Sequence, residues 1–289
     1  MKIIKADNLS CPIDGERLVS QNRQLVCVKG HSFDLARQGY VNLLPVQHKR
    51  TKHPGDSKEM VLARSRFLNS GIYAVVADKL AALSYSHLEG KAISCVLDAG
   101  CGEGYYLDYV LNYLKNKDDA VDVSFLGLDI SKQAIIEAAK RNKQISWLVG
   151  TNRQPPLEPN SVDIILCVFG FQSFEGFNKI LKPGGKIILV EPGSEHLIEL
   201  REIIYSTVKR TPVQNPGKFE SLGFLLRESQ PLQLKTGLIN NKLINDLLLM
   251  TPHFYRASKE GRQAAMQLQT LDLSIDVVFR VFEKNKSIE

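Results

Sequence analysis

Long hydrophobic runs are missing from this chain. No apolar stretch approaches the roughly 20 residues that a membrane span needs, and the opening MKIIKADNLSC has neither the apolar core nor the small-residue cleavage site of a secretory signal. Both absences point to a cytoplasmic protein. Cysteine is scarce as well: five residues in 289, odd in number and scattered, do not make a disulfide framework and read as reduced thiols or metal ligands. Internal repeats and low-complexity segments are also absent, which excludes solenoid and tail-like architectures. There is no acidic excess; the net charge of +6 tilts the balance toward polyanionic partners. What is present, 44% hydrophobic residues, suffices for a large core in one large domain or one large domain plus a small one.

The chain reads in three parts. Residues 1–45 show short strands and turns, with RLVS and QLVCV forming a hairpin across QNR and no long helical period. Residues 46–85 hold a basic linker and helices. PVQHKRTKHPGD breaks regular structure, and a helix then begins at Asp56 or Ser57, with Glu59 placed as in a capping box and Met60, Ala63, Phe67 and Leu68 on one face. Gly71 interrupts it, and YAVVADKLAAL continues helical to about residue 84. Over 86–289, continuous apolar strands such as ISCVLDA, VSFLGLD and VDIILCVF alternate with amphipathic helices. That pattern predicts a doubly wound, Rossmann-like α/β domain whose parallel sheet is covered on both faces. After it come HLIELREIIYSTVKR as helix, FLLRESQPLQL as strand, INDLLLM and KEGRQAAMQLQT as helices, and LDLSIDVVFRVF as a closing strand.

The sharpest local signal is VLDAGCGEGYY. A strand ending in Asp98, followed by Gly100, Gly102 and Gly104 and then a helix, places pliant backbone and helix-start amides at the carboxyl edge of the sheet, where such folds bind ligands. A dinucleotide fingerprint fails, because its third glycine would fall on Tyr105 or Leu107. The D-x-G-x-G-x-G pattern resembles motif I of the class I S-adenosylmethionine (SAM)-dependent methyltransferases. Asp129, ending the next strand, stands where an acid accepts hydrogen bonds from ribose hydroxyls. LKPGGKIILVEPG resembles the turn and fifth strand of that superfamily. Cys95 reads as strand core and Cys101 as a small loop residue.

In the head, Cys11, Cys27 and His31 lie in a pattern that would read as a structural zinc site if position 14 were cysteine. Asp14 stands there instead. A carboxylate can bind zinc, so Cys11, Asp14, Cys27 and His31 form a four-ligand set with one thiolate fewer. The alternative is a hairpin held by packing, with the cysteines as small buried hydrophobes.

Taken with that head, GYVNLLPVQHKR, PGDS, the glycine loop, EPGSEHLIELREIIY and MTPHFYRA resemble the bacterial ribosomal RNA large-subunit methyltransferase A family over nearly the whole chain. The resemblance implies methylation of ring nitrogen 1 of a guanine in a hairpin loop of 23S rRNA, with 1–45 as a zinc-ribbon-like RNA-recognition module and 86–289 as the methyltransferase domain. It implies SAM contacts at Tyr73, Gly102, Glu103 and His196, and related enzymes imply that a homodimer would build the RNA cleft. Two features depart from the family pattern: Asp14, and CVFGFQSFEGF where a proline-containing segment is expected.

Methyl transfer demands mainly alignment of nucleophile, methyl carbon and sulfur, so few catalytic residues are required. Removal of the guanine N1 proton could fall to Glu175, Glu191 or His196. Phe169, Phe171 and Phe174 are candidates to stack the extruded base, and Lys49, Arg50 and Lys52, with His48 and His53, suit phosphates. A small-molecule methyltransferase and a non-catalytic SAM- and RNA-binding protein remain alternatives; the first would bind no RNA at low salt, and the second would bind both ligands without turnover. Asp129→Ala is expected to weaken SAM binding with the fold intact, and an unchanged calorimetric affinity would remove Asp129 from the ribose role.

Overall fold

The computed structural model describes residues 1–45, 54–117, 122–208 and 217–286. The basic cluster His48, Lys49, Arg50, Lys52 and His53 lies outside them. The head carries β1 (Lys2–Ile4), β2 (Val19–Gln21), β3 (Gln24–Val26), β4 (Ser32–Asp34) and β5 (Tyr40–Asn42). The expected hairpin forms between β2 and β3, turning at Asn22 with φ +53°, and β4 extends it into a three-stranded antiparallel sheet.

Two helices follow. In α1 (Lys58–Asn69), Ser57 Oγ accepts from the Met60 N–H at 3.3 Å, so Ser57 rather than Asp56 is the cap, and Val61, Ala63, Phe67 and Leu68 face inward. The break at Gly71 is observed, with φ +86°. Helix α2 (Ala74–Leu88) runs past the expected end near residue 84, because Ser84 and Leu88 are still buried against the sheet and Ser84 satisfies its hydroxyl on Leu80 O.

The main sheet alternates β6 (Ile93–Ala99), α3 (Tyr105–Lys115), β7 (Asp122–Asp129), α4 (Lys132–Arg141), β8 (Ser146–Val149), β9 (Val162–Val168), α5 (Phe174–Ile180) and β10 (Leu181–Pro192). It continues through α6 (Ile198–Ile204), α7 (Gly217–Glu220), β11 (Phe224–Asn240), α8 (Asn241–Met250), α9 (His253–Arg256), α10 (Lys259–Gln267) and β12 (Thr270–Lys284). The strand order β8-β7-β6-β9-β10-β12-β11 is parallel from β8 to β10, and β12 runs antiparallel to both β10 and β11. This is the class I methyltransferase arrangement: a parallel, doubly wound half closed by a reversed C-terminal hairpin. The helix expected over 196–210 is shorter, beginning after Leu197 at φ +54° and ending at Ile204.

The head is stitched to this sheet. β1 pairs in parallel with β7, β5 pairs in parallel with β8, and Leu9 bridges to Leu157. Period-two alternation divides the core between two faces. Val96, Ile164 and Ile188 pack with α2, α3 and α8, whereas Leu97, Ile165 and Ile187 pack with α5 and with Cys11, Leu18 and Cys27 of the head. Trp147 of β8 is 2% exposed and donates Nε1–H to Asn142 O at 2.8 Å. Its ring occupies room that two glycines leave: a Cβ on Gly127 would stand 2.2 Å from Cζ3, and one on Gly104 2.6 Å from Cη2. Gly127→Ala should therefore lower stability by about 1–3 kcal/mol through overpacking; thermal unfolding would show this, and an unchanged midpoint would mean that the ring has somewhere else to go.

Candidate active site

The chain runs from β6 outward to β7 and β8, then returns to place β9 on the other side of β6. Strand order therefore reverses between β6 and β9, and ligands of open α/β sheets bind beyond the carboxyl ends of the strands at such a point. The residues there are 100–104 after β6 and 169–172 after β9. Gly100, Gly102 and Gly104 all have positive φ, and Gly104 starts α3 from the left-handed region. The two loops touch: a Cβ on Gly170 would lie 3.1 Å from Ala99 O, and one on Gly100 3.6 Å from the Gly170 Cα.

Asp129 holds the glycine loop to the end of β7. Its Oδ2 accepts from the Gly102 N–H at 3.0 Å and its Oδ1 from the Ser131 N–H at 2.7 Å. Burial raises the Asp129 pKa, and these two amides oppose the rise. Asp98, 1% exposed, is different, since neither carboxyl oxygen has a hydrogen-bond partner. Burial, reinforced by the charges of Asp129 and Glu103, pushes its pKa up to about 8. Glu103 is also buried and raised, but it is paired with Arg141 Nη2 at 3.1 Å. Three acids thus surround the loop, and one of them is unpaired.

Arg64 is the residue here that sequence reading missed. Reaching from α1, it pairs with Asp56, donates Nη2–H to Met250 O at 3.0 Å, and brings Nη1 3.6 Å from where a Gly102 Cβ would stand. Asp56 O in turn accepts from Ser131 Oγ at 2.8 Å, so the start of α1 is fastened to the loop that Asp129 organises. The spacing of α1 showed only an inward face, and nothing local in the sequence says which loop that helix meets.

Beside these loops stands an aromatic group. Tyr73 Oη lies 3.3 Å from His196 Nε2, and the Phe169 ring stacks on His196 with centroids 5.6 Å apart. His196 Nδ1 accepts from the Asp276 N–H at 3.3 Å, which leaves the ring proton on Nε2, facing the tyrosine oxygen. Burial lowers the His196 pKa to about 4, and burial raises that of Tyr73, so both are neutral near pH 7. Phe169 holds φ +53°, an uncommon backbone state for an aromatic residue. Tyr73, His196 and Phe169, distant in sequence, meet here; Phe171 stands 56% exposed at the rim.

Phe174 does not reach the site. It is 3% exposed and stacked on Phe219 at 4.0 Å, because α5 turns it into the core beneath β9 and β10. Of the proposed proton acceptors, Glu191 is spent on Gln172 Nε2 at 2.9 Å and Arg280 Nη1 at 2.7 Å. Glu175 is exposed and borders a shallow cleft with Asn178, Lys179 and Leu222.

In the head, one donor atom each from Cys11, Asp14, Cys27 and His31 all lie within 4.8 Å of one another. His31 Nδ1 is 2.9 Å from Asp14 Oδ2 and 3.6 and 3.5 Å from the Cys11 and Cys27 sulfurs, and Cys27 Sγ is 3.4 Å from Asp14 Oδ2. Ligands about 2.0–2.3 Å from a zinc ion stand roughly 3.3–3.8 Å apart at the corners of a tetrahedron, so the set fits that ion with little movement. Burial would raise the Asp14 pKa, but the Glu16 N–H and the surrounding thiols and imidazole outweigh it and hold the carboxyl well below its usual range.

Comparison with known proteins agrees with both halves. Residues 9–52 match the zinc-ribbon family described as "RlmA, N-terminal", and residues 96–185 match a methyltransferase domain family. A Bacillus subtilis (strain 168) protein, YxjB, whose name assigns it provisionally to the 23S rRNA (guanine-N(1)-)-methyltransferases, is 30% identical over 92% of this chain and 94% of its own length. The Streptomyces fradiae 23S rRNA (guanine(748)-N(1))-methyltransferase is 37% identical over 66% of each chain.

Asp98 has a folded pKa of about 8 against an ordinary 3.8. A raised folded value contributes stability that is full below 3.8 and is lost as pH rises through about 8. Relative to Asp98→Asn, the wild-type thermal midpoint should therefore fall between pH 4 and 8; parallel profiles would place a charge partner beside Asp98.

Proposed function

This chain belongs to the 23S rRNA (guanine-N1)-methyltransferase family, and we propose on that premise that it transfers a methyl group from SAM to ring nitrogen 1 of a guanine in a hairpin loop of 23S rRNA. The observation that carries the reading is the switch point where the touching loops 100–104 and 169–172 bring buried acids and positive-φ glycines together with Tyr73, His196 and Phe169. Its acids suit the positive sulfonium and ammonium centres of SAM, and the unpaired, buried Asp98 is a polar group lacking a partner that the ammonium would provide.

We assign SAM binding to Tyr73, Asp98, Gly100, Gly102, Glu103, Gly104, Asp129 and His196. Each Asp129 oxygen already accepts one amide and keeps a lone pair for a ribose hydroxyl. The Glu103 carboxylate is occupied by Arg141, so its share is the backbone of the loop. Tyr73 and His196, neutral and mutually hydrogen-bonded, close the pocket without adding charge. SAM, when bound, supplies a methyl carbon activated on a sulfonium.

The protein's part is alignment. With Glu191 paired, His196 using both nitrogens and Glu175 turned to the surface beside Asn178 and Leu222, none of the side chains expected to take the N1 proton is poised to do so, and catalysis rests on holding the base in line while that proton passes to solvent. Phe169, fixed against His196, is the stacking face for the extruded guanine. Residues 1–45 act as the RNA-gripping module, with zinc held by Cys11, Asp14, Cys27 and His31. The linker 46–85 joins that module to the methyltransferase domain over 86–289.

The test is transfer of labelled methyl from SAM to 23S rRNA from a strain lacking the modification, followed by mapping. Label on one hairpin-loop guanine is expected. No label, with SAM binding measured on the same sample, would overturn the assignment and leave a binding protein or a different acceptor.

A further inference from the structure

We propose that Phe171 and Arg153 form a seat for the unpaired nucleotide next to the guanine being methylated, with its base on the open face of the Phe171 ring and its phosphate on the Arg153 guanidinium. The proposal rests on the RNA reading above and adds a second contact to it, outside the pocket.

Phe171 is more than half exposed, yet its backbone is held firmly. Its carbonyl accepts from Asn152 Nδ2 at 2.8 Å, and Asn152 is itself buried. Gly170, one residue before, is pressed so closely on Ala99 O and Cys167 Sγ, 3.1 Å from a Cβ position, that a side chain there would push the loop away. The ring is thus presented from a fixed rim beside Gly100. Arg153 comes from the neighbouring turn, where Thr151 bridges to Gln154 and Thr151 Oγ1 accepts from the Arg153 N–H at 3.3 Å. Its guanidinium carbon stands 4.8 Å from the Phe171 ring centroid. Among the described residues, no carboxylate pairs with it.

Phe169, stacked on His196 and edge-on to Tyr73, is already given to the guanine itself. Phe171, two residues on, is the more exposed of the two rings and stands free for a neighbouring base. An exposed ring with a cation beside it, at the mouth of a pocket and on rigid backbone, matches the chemistry of single-stranded RNA: stacking accepts any base, and a guanidinium accepts phosphate. The net charge of +6 favours that polyanion over an apolar or cationic partner. Preset geometry reduces the ordering cost of binding.

The test compares the wild type with Phe171→Ala, Phe171→Trp and Arg153→Met. The measurements are anisotropy with a labelled 23S hairpin-loop RNA, SAM calorimetry, methyl-transfer KM and kcat, and thermal unfolding. Phe171→Ala should weaken RNA binding and raise the RNA KM by about tenfold or more, with SAM affinity and the thermal midpoint unchanged. Phe171→Trp should retain binding. Arg153→Met should lower the slope of log affinity against log salt by about one.

Wild-type affinity and KM in both Phe171→Ala and Arg153→Met would overturn the seat while leaving the methyltransferase reading intact. An equal loss of SAM affinity in Phe171→Ala would overturn it too, since the residue would then be supporting the cofactor loop. If the wild type bound this RNA in a Phe171-dependent way without methylating it, the seat would stand and the assigned reaction would fall. Absence of wild-type RNA binding would overturn both.

Discussion

The indole of Trp147 is the wedge on which the site depends. It lies under the glycine loop, in space made by the missing side chains of Gly104 and Gly127. The loop that leaves β6 can therefore descend onto β7 closely enough for Asp129 to accept the Gly102 N–H. Interiors packed as densely as crystals transmit such constraints without slack. A methyl group on either glycine would meet the indole, so that either the ring or the loop held by Asp129 would have to move. The same side chain ties β8 to the start of α3, and through β8 the head reaches the sheet, because β5 pairs with that strand.

Charge is distributed with equal economy. Three carboxyl groups, Asp98, Glu103 and Asp129, surround the loop with Asp56 behind Arg64, and each but Asp98 has an ionic or amide partner. Leaving one acid unpaired in a dry site keeps it protonated near neutral pH and makes the pocket responsive to a cation. The aromatic group beside it, Tyr73, His196 and Phe169, is neutral near pH 7. The site thus has a charged side suited to a charged cofactor and a stacking side suited to a nucleobase.

How much of this was legible in the residues depends on whether the cause was local. The strand-acid-glycine run, the Ser57 cap region and the hairpin of the head follow from local rules, and they stand where expected. The reversed C-terminal hairpin was less visible: FLLRESQPLQL and LDLSIDVVFRVF read as strands, but direction is set by what lies next to them. Phe174 shows the same limit at a single residue. Two positions in one loop, 171 and 174, carry the same side chain, yet the start of α5 turns one of them inward onto Phe219.

By itself the sequence determined the fold class, the glycine loop with Asp98 and Asp129, the altered ligand set with Asp14 in place of a cysteine, and the family likeness. These are matters of residue type at short spacing, where side-chain chemistry and backbone freedom act directly. The tertiary structure decided which distant residues share a wall. Tyr73 meets His196 across 123 positions of chain, Arg64 of α1 comes to rest at Gly102, and Arg153 comes to rest over Phe171. Such pairings are fixed by strand order and by the packing of helices on the sheet, and no window of sequence contains either.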